Sequence, residues 1–391
     1  MLVPIFLAGW LVSELAFYVV AVQIVVTILF MQAGAVSGFW GVVAFLLNIA
    51  AGYSFIRHYL NGNNTSKSFE IAFHKEFGED FEEAIPQEEL KKIPQSVSIE
   101  RLLKPFSLDL PEVERLNDIE YDASNGVKLC LDIYRKRGDT HDESSKKPVL
   151  FQIHGGAWMQ KLGSRKEQAR PLMNHMAKHG WISVSISYRL SPRATFPAHI
   201  IDCKKALAWV KQNIAEYGGD PDYIVATGGS AGGHLSSLLA LTANDEKFQP
   251  GFENIDTSVQ GCVPFYGVYD FTNANKLRAN DGLQELLQKY VFKKSIVDFE
   301  EEFKEASPIH RLHKDAPPFL VIQGDSDNVV SFPEAPVFAN ELSRVSNESV
   351  CYVELQGAQH AFDIFISLRS EQCKHAVHKY LSYMYAKHRT N

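Results

Sequence analysis

The chemistry legible in this chain of 391 residues gathers around one serine. Ser230 is the centre of GGSAG, Gly228 to Gly232, which matches G-x-S-x-G and closes the apolar run YIVATG. On a sharp strand-to-helix turn a serine projects its hydroxyl above the sheet, and bulky side chains two positions away would collide with it. Glycines at 228 and 232 therefore have a use, and the following helix directs positive N-terminal potential at a developing anion. HGGAW, His154 to Trp158, is the second such stretch and follows the apolar run PVLFQI. Backbone N–H groups of a glycine loop can hold an oxyanion, and losing one such donor raises the barrier by about 3–4 kcal/mol. Serine is a poor nucleophile alone; it needs a base, and an acid to orient that base. GDSD, after PFLVIQ, offers Asp325 and Asp327, the latter farther past the strand end, and AQH, after CYVELQG, offers His360. The chain order Ser230, Asp327, His360 is that of the hydrolases built on a nucleophile elbow.

Such residues need a scaffold, and the sequence predicts one. VKLCLDIY (127–134), PVLFQIHG (148–155), WISVSIS (181–187), YIVATG (223–228), GCVPFYG (261–267), PFLVIQG (318–324) and CYVELQG (351–357) read as strands. Between them lie helical patterns such as HIIDCKKALAWVKQNIAEYG (199–218). Short apolar strands alternating with helices predict an α/β fold with a mostly parallel central sheet, its chemistry beyond the carboxyl ends of the strands. The catalytic domain is read as 118–391. Its polar, helix-prone stretch 271–315 is a cap-like insertion.

The amino-terminal part differs in kind. Leu2 to Met31 carries a single charge, Glu14, and Val36 to Ile56 carries none. About twenty apolar residues cross a bilayer core, so 1–60 is read as two transmembrane helices (about 5–31 and 36–56) with Glu14 near the headgroups. AGA at 33–35 resembles a signal-peptidase site, but no Lys or Arg precedes the apolar run and a second run follows directly. Arg57, His58 and Lys67 follow the second run, whereas the turn QAGAVS is uncharged, which places the catalytic domain in the cytoplasm. Residues 61–117 read as a polar linker and cap helices, including a phenylalanine stripe at Phe69, Phe73, Phe77 and Phe81 that suits packing on a neighbour.

Composition narrows the partners. A net charge of −7 without a basic stripe argues against nucleic acid. Cys130, Cys203, Cys262, Cys351 and Cys373 are scattered and form no C-x-x-C pair, so neither a zinc site nor a disulfide framework is suggested.

HGGAW, SYRLSPRATFPAHIIDCKKALAWV, YGGDPDYIVATGGSAGGHL, GDSDNVV and QHAFD together resemble the hormone-sensitive-lipase-like branch of the α/β-hydrolases, over about residues 118–388. The likeness extends to membrane-associated esterases of the mycobacterial kind. It implies carboxylic-ester hydrolysis with Ser230 as nucleophile, His360 as base and then acid, and Asp327 orienting His360. The implied oxyanion donors are the N–H groups of Gly156, Ala157 and Ala231, with His154 and Gly155 supporting their loop and Tyr188 and Arg189 as scaffold. Ala157 stands where the family motif has a third glycine. Trp158, Phe265 and Tyr266 are candidate pocket residues. No metal or cofactor is implied, and the partner is a small-molecule or lipid ester. Amide cleavage by the same triad, or a non-catalytic relative that binds a small ligand, are the other readings, and the sequence does not speak to oligomeric state.

Overall fold

The structure is a computed structural model describing residues 3–124, 126–139 and 146–390, with side chains from residue 8 onward. Eight strands form one sheet: β1 (Val113–Asp122), β2 (Leu129–Lys136), β3 (Lys147–Ile153), β4 (Ile182–Ile186), β5 (Gly219–Gly229), β6 (Gly261–Phe265), β7 (Phe319–Gly324) and β8 (Val350–Leu355). Their order is β1-β2-β4-β3-β5-β6-β7-β8. β2 pairs antiparallel with both β1 and β4, and every other pairing is parallel. This is the mostly parallel α/β architecture that the alternating apolar runs predict.

Side-chain alternation explains why helices cover both faces. Val149, Phe151 and Ile153 of β3, Ile224 and Ala226 of β5, and Phe319 and Val321 of β7 point into one buried cluster, with the helices Ala198–Asn213, Ala231–Leu241 and Glu334–Val345. Leu150, Tyr223, Val225, Leu320 and Ile322 point the other way, against Leu172 and Met176 of the helix Arg170–Lys178 and Tyr380 and Leu381 of the C-terminal helix Leu368–Thr390. β1 begins at Val113, ahead of the domain start expected at 118. It is an edge strand whose charges hide its alternation, Glu114 pairing with Arg135 and Arg115 with the buried Asp132.

The amino-terminal helices are α1 (Val3–Glu14), α2 (Ala16–Gln32), α3 (Phe39–Leu60) and α4 (Asn64–Phe77). α3 runs on towards Phe77 as one helical stretch with an apolar part long enough to cross a membrane, and only 6% of that part is buried. The first apolar segment is not one straight helix over 5–31: it bends by 104° between Glu14 and Ala16, so it supplies a second candidate span only if α1 and α2 count together. Glu14 is buried, ion-paired with Arg369, and accepts from the Ser367 hydroxyl at 2.6 Å. A carboxylate in an apolar helix is costly unless paired, and the bend is what brings this one to its cation.

α4 packs Phe69 and Phe73 against the second face of the sheet, with Phe73 6.1 Å from Tyr380 and Phe77 4.8 Å from Tyr383. Gly78, at φ +89°, ends the helix, and Phe81 returns to the same cluster from a short 3-10 turn. This stripe is core packing rather than a cap.

Candidate active site

β5 ends in the GGSAG turn. Ser230 has φ 59° and ψ −121°, a conformation L-residues rarely hold, and caps the helix Ala231–Leu241. Its N–H is tied to the Phe265 carbonyl at 3.0 Å, which fixes the turn against β6. The glycines around it are required by close approach. A methyl at Gly232 would be driven into the Ile153 carbonyl oxygen and one at Gly228 into that of Gly232, while one at Gly229 would lie 2.7 Å from the Tyr266 hydroxyl.

The HGGAW loop leaves β3 beside this turn, and a methyl on Gly155 would lie 3.1 Å from the Ser230 Cβ. Gly156 (φ +109°), Ala157 (φ 52°) and Trp158 (φ 58°) are three successive positive-φ residues. The Gly155 N–H is committed to the Gln168 side-chain oxygen. Among the described residues, the N–H groups of Gly156, Ala157 and Ala231 have no acceptor. His154 anchors the loop: its Nδ1 donates to the Gly155 carbonyl at 2.7 Å, its ring stacks on Tyr188 at 4.5 Å, and the Tyr188 hydroxyl donates to the His154 carbonyl at 2.9 Å. Burial lowers the His154 pKa to about 4, so its ring is neutral. Arg189 holds the buried Asp202 with Nε at 2.7 Å and Nη2 at 2.8 Å.

Beyond β7, the two aspartates do different work. Asp325 accepts from the Gly357 N–H at 2.7 Å and so ties two loops together. Asp327, its side chain fully buried, bonds His360 Nδ1 through Oδ2 at 2.8 Å. The same oxygen accepts from Gln323 at 3.1 Å, and Oδ1 accepts from the N–H groups of Val329 and Val330 at 2.9 Å. Those donors fix the carboxylate's orientation and, with it, the imidazole's.

A cavity of about 520 Å³ opens over Ser230 and Asp327. Ala157 and Trp158 form one wall, and Leu277, Leu283 and Leu286, from within 271–315, form another. Phe265 and Tyr266 do not line it. Both are packed in the core, with the Tyr266 hydroxyl donating to Asp363 and its ring 4.7 Å from that of His360. Trp158 is itself almost fully buried, its indole N–H donating to His234 Nδ1 at 3.2 Å.

Three supporting residues are not singled out by the sequence. Gln168 lies 13 residues beyond the glycine it holds. His234 bridges Trp158 to the Ala306 carbonyl and stays neutral because burial lowers its pKa to about 4. Asp363, whose burial raises its pKa, sits under Tyr266. Only QHAFD, where Asp363 follows His360 by three residues, could have drawn attention to the last.

The BD-FAE family matches residues 131–342, more than half of the chain, including both glycine loops, Ser230 and Asp327. The chain belongs to the BD-FAE family. This BD-FAE member is 47% identical over 299 residues to the probable carboxylic ester hydrolase LipM of Mycobacterium tuberculosis, covering 75% of this chain and 65% of LipM. It is 45% identical over 271 residues to esterase LipQ of the same organism, covering 69% and 63%. The chain thus spans a little under two thirds of the length of these curated relatives. Among solved structures, a thermophilic esterase from Thermogutta terrifontis is similar at 26% identity and a TM-score of 0.53, covering 66% of this chain and 86% of that one.

Proposed function

We propose that this BD-FAE member is a serine hydrolase that cleaves carboxylic esters through an acyl-enzyme, with its catalytic domain held at a membrane. The observation that carries the reading is the Asp327–His360 hydrogen bond of 2.8 Å beside a strained Ser230 and three uncommitted backbone donors. The esterase names of its relatives support the same class.

In this mechanism Ser230 Oγ attacks the ester carbonyl carbon while His360 Nε2 takes its proton. The carbonyl π pair moves onto oxygen, and that oxyanion is met by the N–H groups of Gly156, Ala157 and Ala231. Collapse breaks the C–O bond to the alcohol, which leaves with the proton from His360. Water then repeats the sequence on the acyl-serine and releases the acid. Asp327 keeps the Nδ1 proton in place, so Nε2 is the basic nitrogen, and stabilises the imidazolium. Ala157 donates as a glycine would, because the backbone supplies the donor, and its methyl borders the acyl space.

Membrane attachment is supported by α2 and α3. Both expose large apolar side chains such as Val22, Ile28, Leu29, Leu46 and Leu47. The few polar groups between them pair with each other: Gln23 donates to the Asn48 carbonyl at 2.6 Å and Thr27 to the Asn48 side chain at 3.1 Å, as helices in lipid pair theirs. The basic residues Arg57, His58 and Lys67 beyond α3 favour a cytoplasmic catalytic domain in a two-span chain.

The test is turnover of chromogenic esters from acetyl to dodecanoyl by the full chain in detergent micelles. Turnover of at least one acyl length is expected, with the optimum reporting how much of the cavity an acyl chain fills. Amide cleavage without ester cleavage would replace this reading with an amidase.

A further inference from the structure

The segment after β8, residues 356–369, is the loop that carries His360 together with the first two residues of the C-terminal helix, and the amino-terminal apolar segment grips it at several points. The Trp10 indole N–H donates to the carbonyl of Ala361, the residue next to His360, at 3.0 Å. The Trp10 ring lies 4.4 Å from that of Phe365. Gly9 abuts the side chain of Gln359, where a methyl would lie 3.2 Å from its amide nitrogen. Glu14 ion-pairs with Arg369 and accepts from Ser367, and all three side chains are buried. Arg369 also donates to the Gln356 carbonyl at 3.2 Å, so one guanidinium fastens both ends of the loop. The base of the grip is α3, whose Tyr59 hydroxyl accepts from the Leu368 N–H at 3.2 Å.

We propose that α1 is a positioning element of the active site, holding the loop of His360 through Trp10 and Glu14. The catalytic consequence rests on the reading of His360 as the general base. Asp327 orients the imidazole, and proton transfer demands in addition that the loop beneath the ring be placed to a fraction of an ångström. On the strand side Asp325 ties the loop through Gly357, and on the other side the only charge buried in the first apolar segment does so. The segment therefore does more than attach the domain: the bend at Leu15 turns α1 onto the His360 loop while α2 continues away with its apolar side chains exposed. Trp10 and Glu14 act through His360 and are positioning residues.

The test uses the full chain in micelles with Glu14→Gln and Trp10→Phe. Glu14→Gln removes the charge facing Arg369; Trp10→Phe keeps a ring against Phe365 and removes one N–H donor. Hydrogen exchange read peptide by peptide is expected to speed up by about tenfold in 356–369, the size of one lost hydrogen bond, with β3 and β5 unchanged. On the best ester, kcat is expected to fall by about tenfold with KM within about twofold, because binding in the cavity is untouched. Unchanged exchange of the loop in both variants overturns the proposal, as does faster exchange with unchanged kcat. Should Glu14→Gln fail to fold, Trp10→Phe decides alone. A wild-type chain inert on every ester defeats the ester-hydrolase reading, and the exchange data then decide by themselves whether α1 holds the loop.

Discussion

The two halves of the candidate site are held in different ways. The Ser230 half is held locally. Gly228, Gly229, Gly232 and Gly155 let main chain press on main chain, and the Phe265 carbonyl pins the Ser230 N–H. The His360 half is held from a distance, by Gln323 near the end of β7 and Asp327 in the loop after it, and by Trp10, Glu14 and Tyr59 at the far end of the chain. A nucleophile needs one exposed atom on a rigid turn, and short-range sterics can provide that. A base needs a tautomer and an orientation as well, and here the Asp327 carboxylate sets both.

The largest expected effect comes from breaking the distant half at its first link. Asp327→Asn removes the acceptor that holds the His360 Nδ1 proton, and kcat is expected to fall by about 10⁴-fold at nearly constant fold. Asp325→Asn, in the same loop, leaves that bond intact and is expected to cost stability far more than turnover. Steady-state kinetics and melting curves on both variants separate the two aspartates.

The local half breaks differently. Gly232→Ala drives a methyl into the Ile153 carbonyl oxygen with backbone on both sides and no flexible side chain to give way. A destabilisation of about 3 kcal/mol is expected, read as a lower urea midpoint, with activity lost through the fold rather than through chemistry.

A graded effect comes from acid, and it reaches both halves. Burial lowers the pKa of His154 and His234, on the serine side, to about 4, and that of His375 and His378, in the helix after the His360 loop, to about 3. Unfolded histidines bind protons near 6.5, so between there and about pH 4 the unfolded chain carries more protons than the folded one. Stability therefore rises with pH in that window and is lost as pH falls through it. The urea midpoint is expected to decline steadily from pH 7 to 4, and His154→Gln to make that decline shallower.

This division also explains what could be read in the sequence. The elbow, the HGGAW loop and seven of the eight strands announce themselves because glycine spacing and apolar runs are local signals. β1 is hidden by the charges it pairs with Arg135 and Asp132, and Gln168 and His234 have no motif because their partners are set by the tertiary fold. Glu14 is the instructive case. In the sequence it is a lone charge in an apolar run, and its partner Arg369 lies 355 residues away. No periodicity or spacing could join them. Phe265 and Tyr266, at the end of β6, are read as pocket residues for the same reason in reverse: position along a strand gives the end of the sheet but not which side chains reach the cavity.

The most direct measurement is the turnover of Ser230→Ala beside the wild-type full chain, on the acyl length that the ester series identifies as best. The account predicts a loss of at least about 10³-fold in kcat with an unchanged melting temperature, because the alanine removes only the hydroxyl. Turnover that survives in the variant would mean that the elbow serine is not the nucleophile.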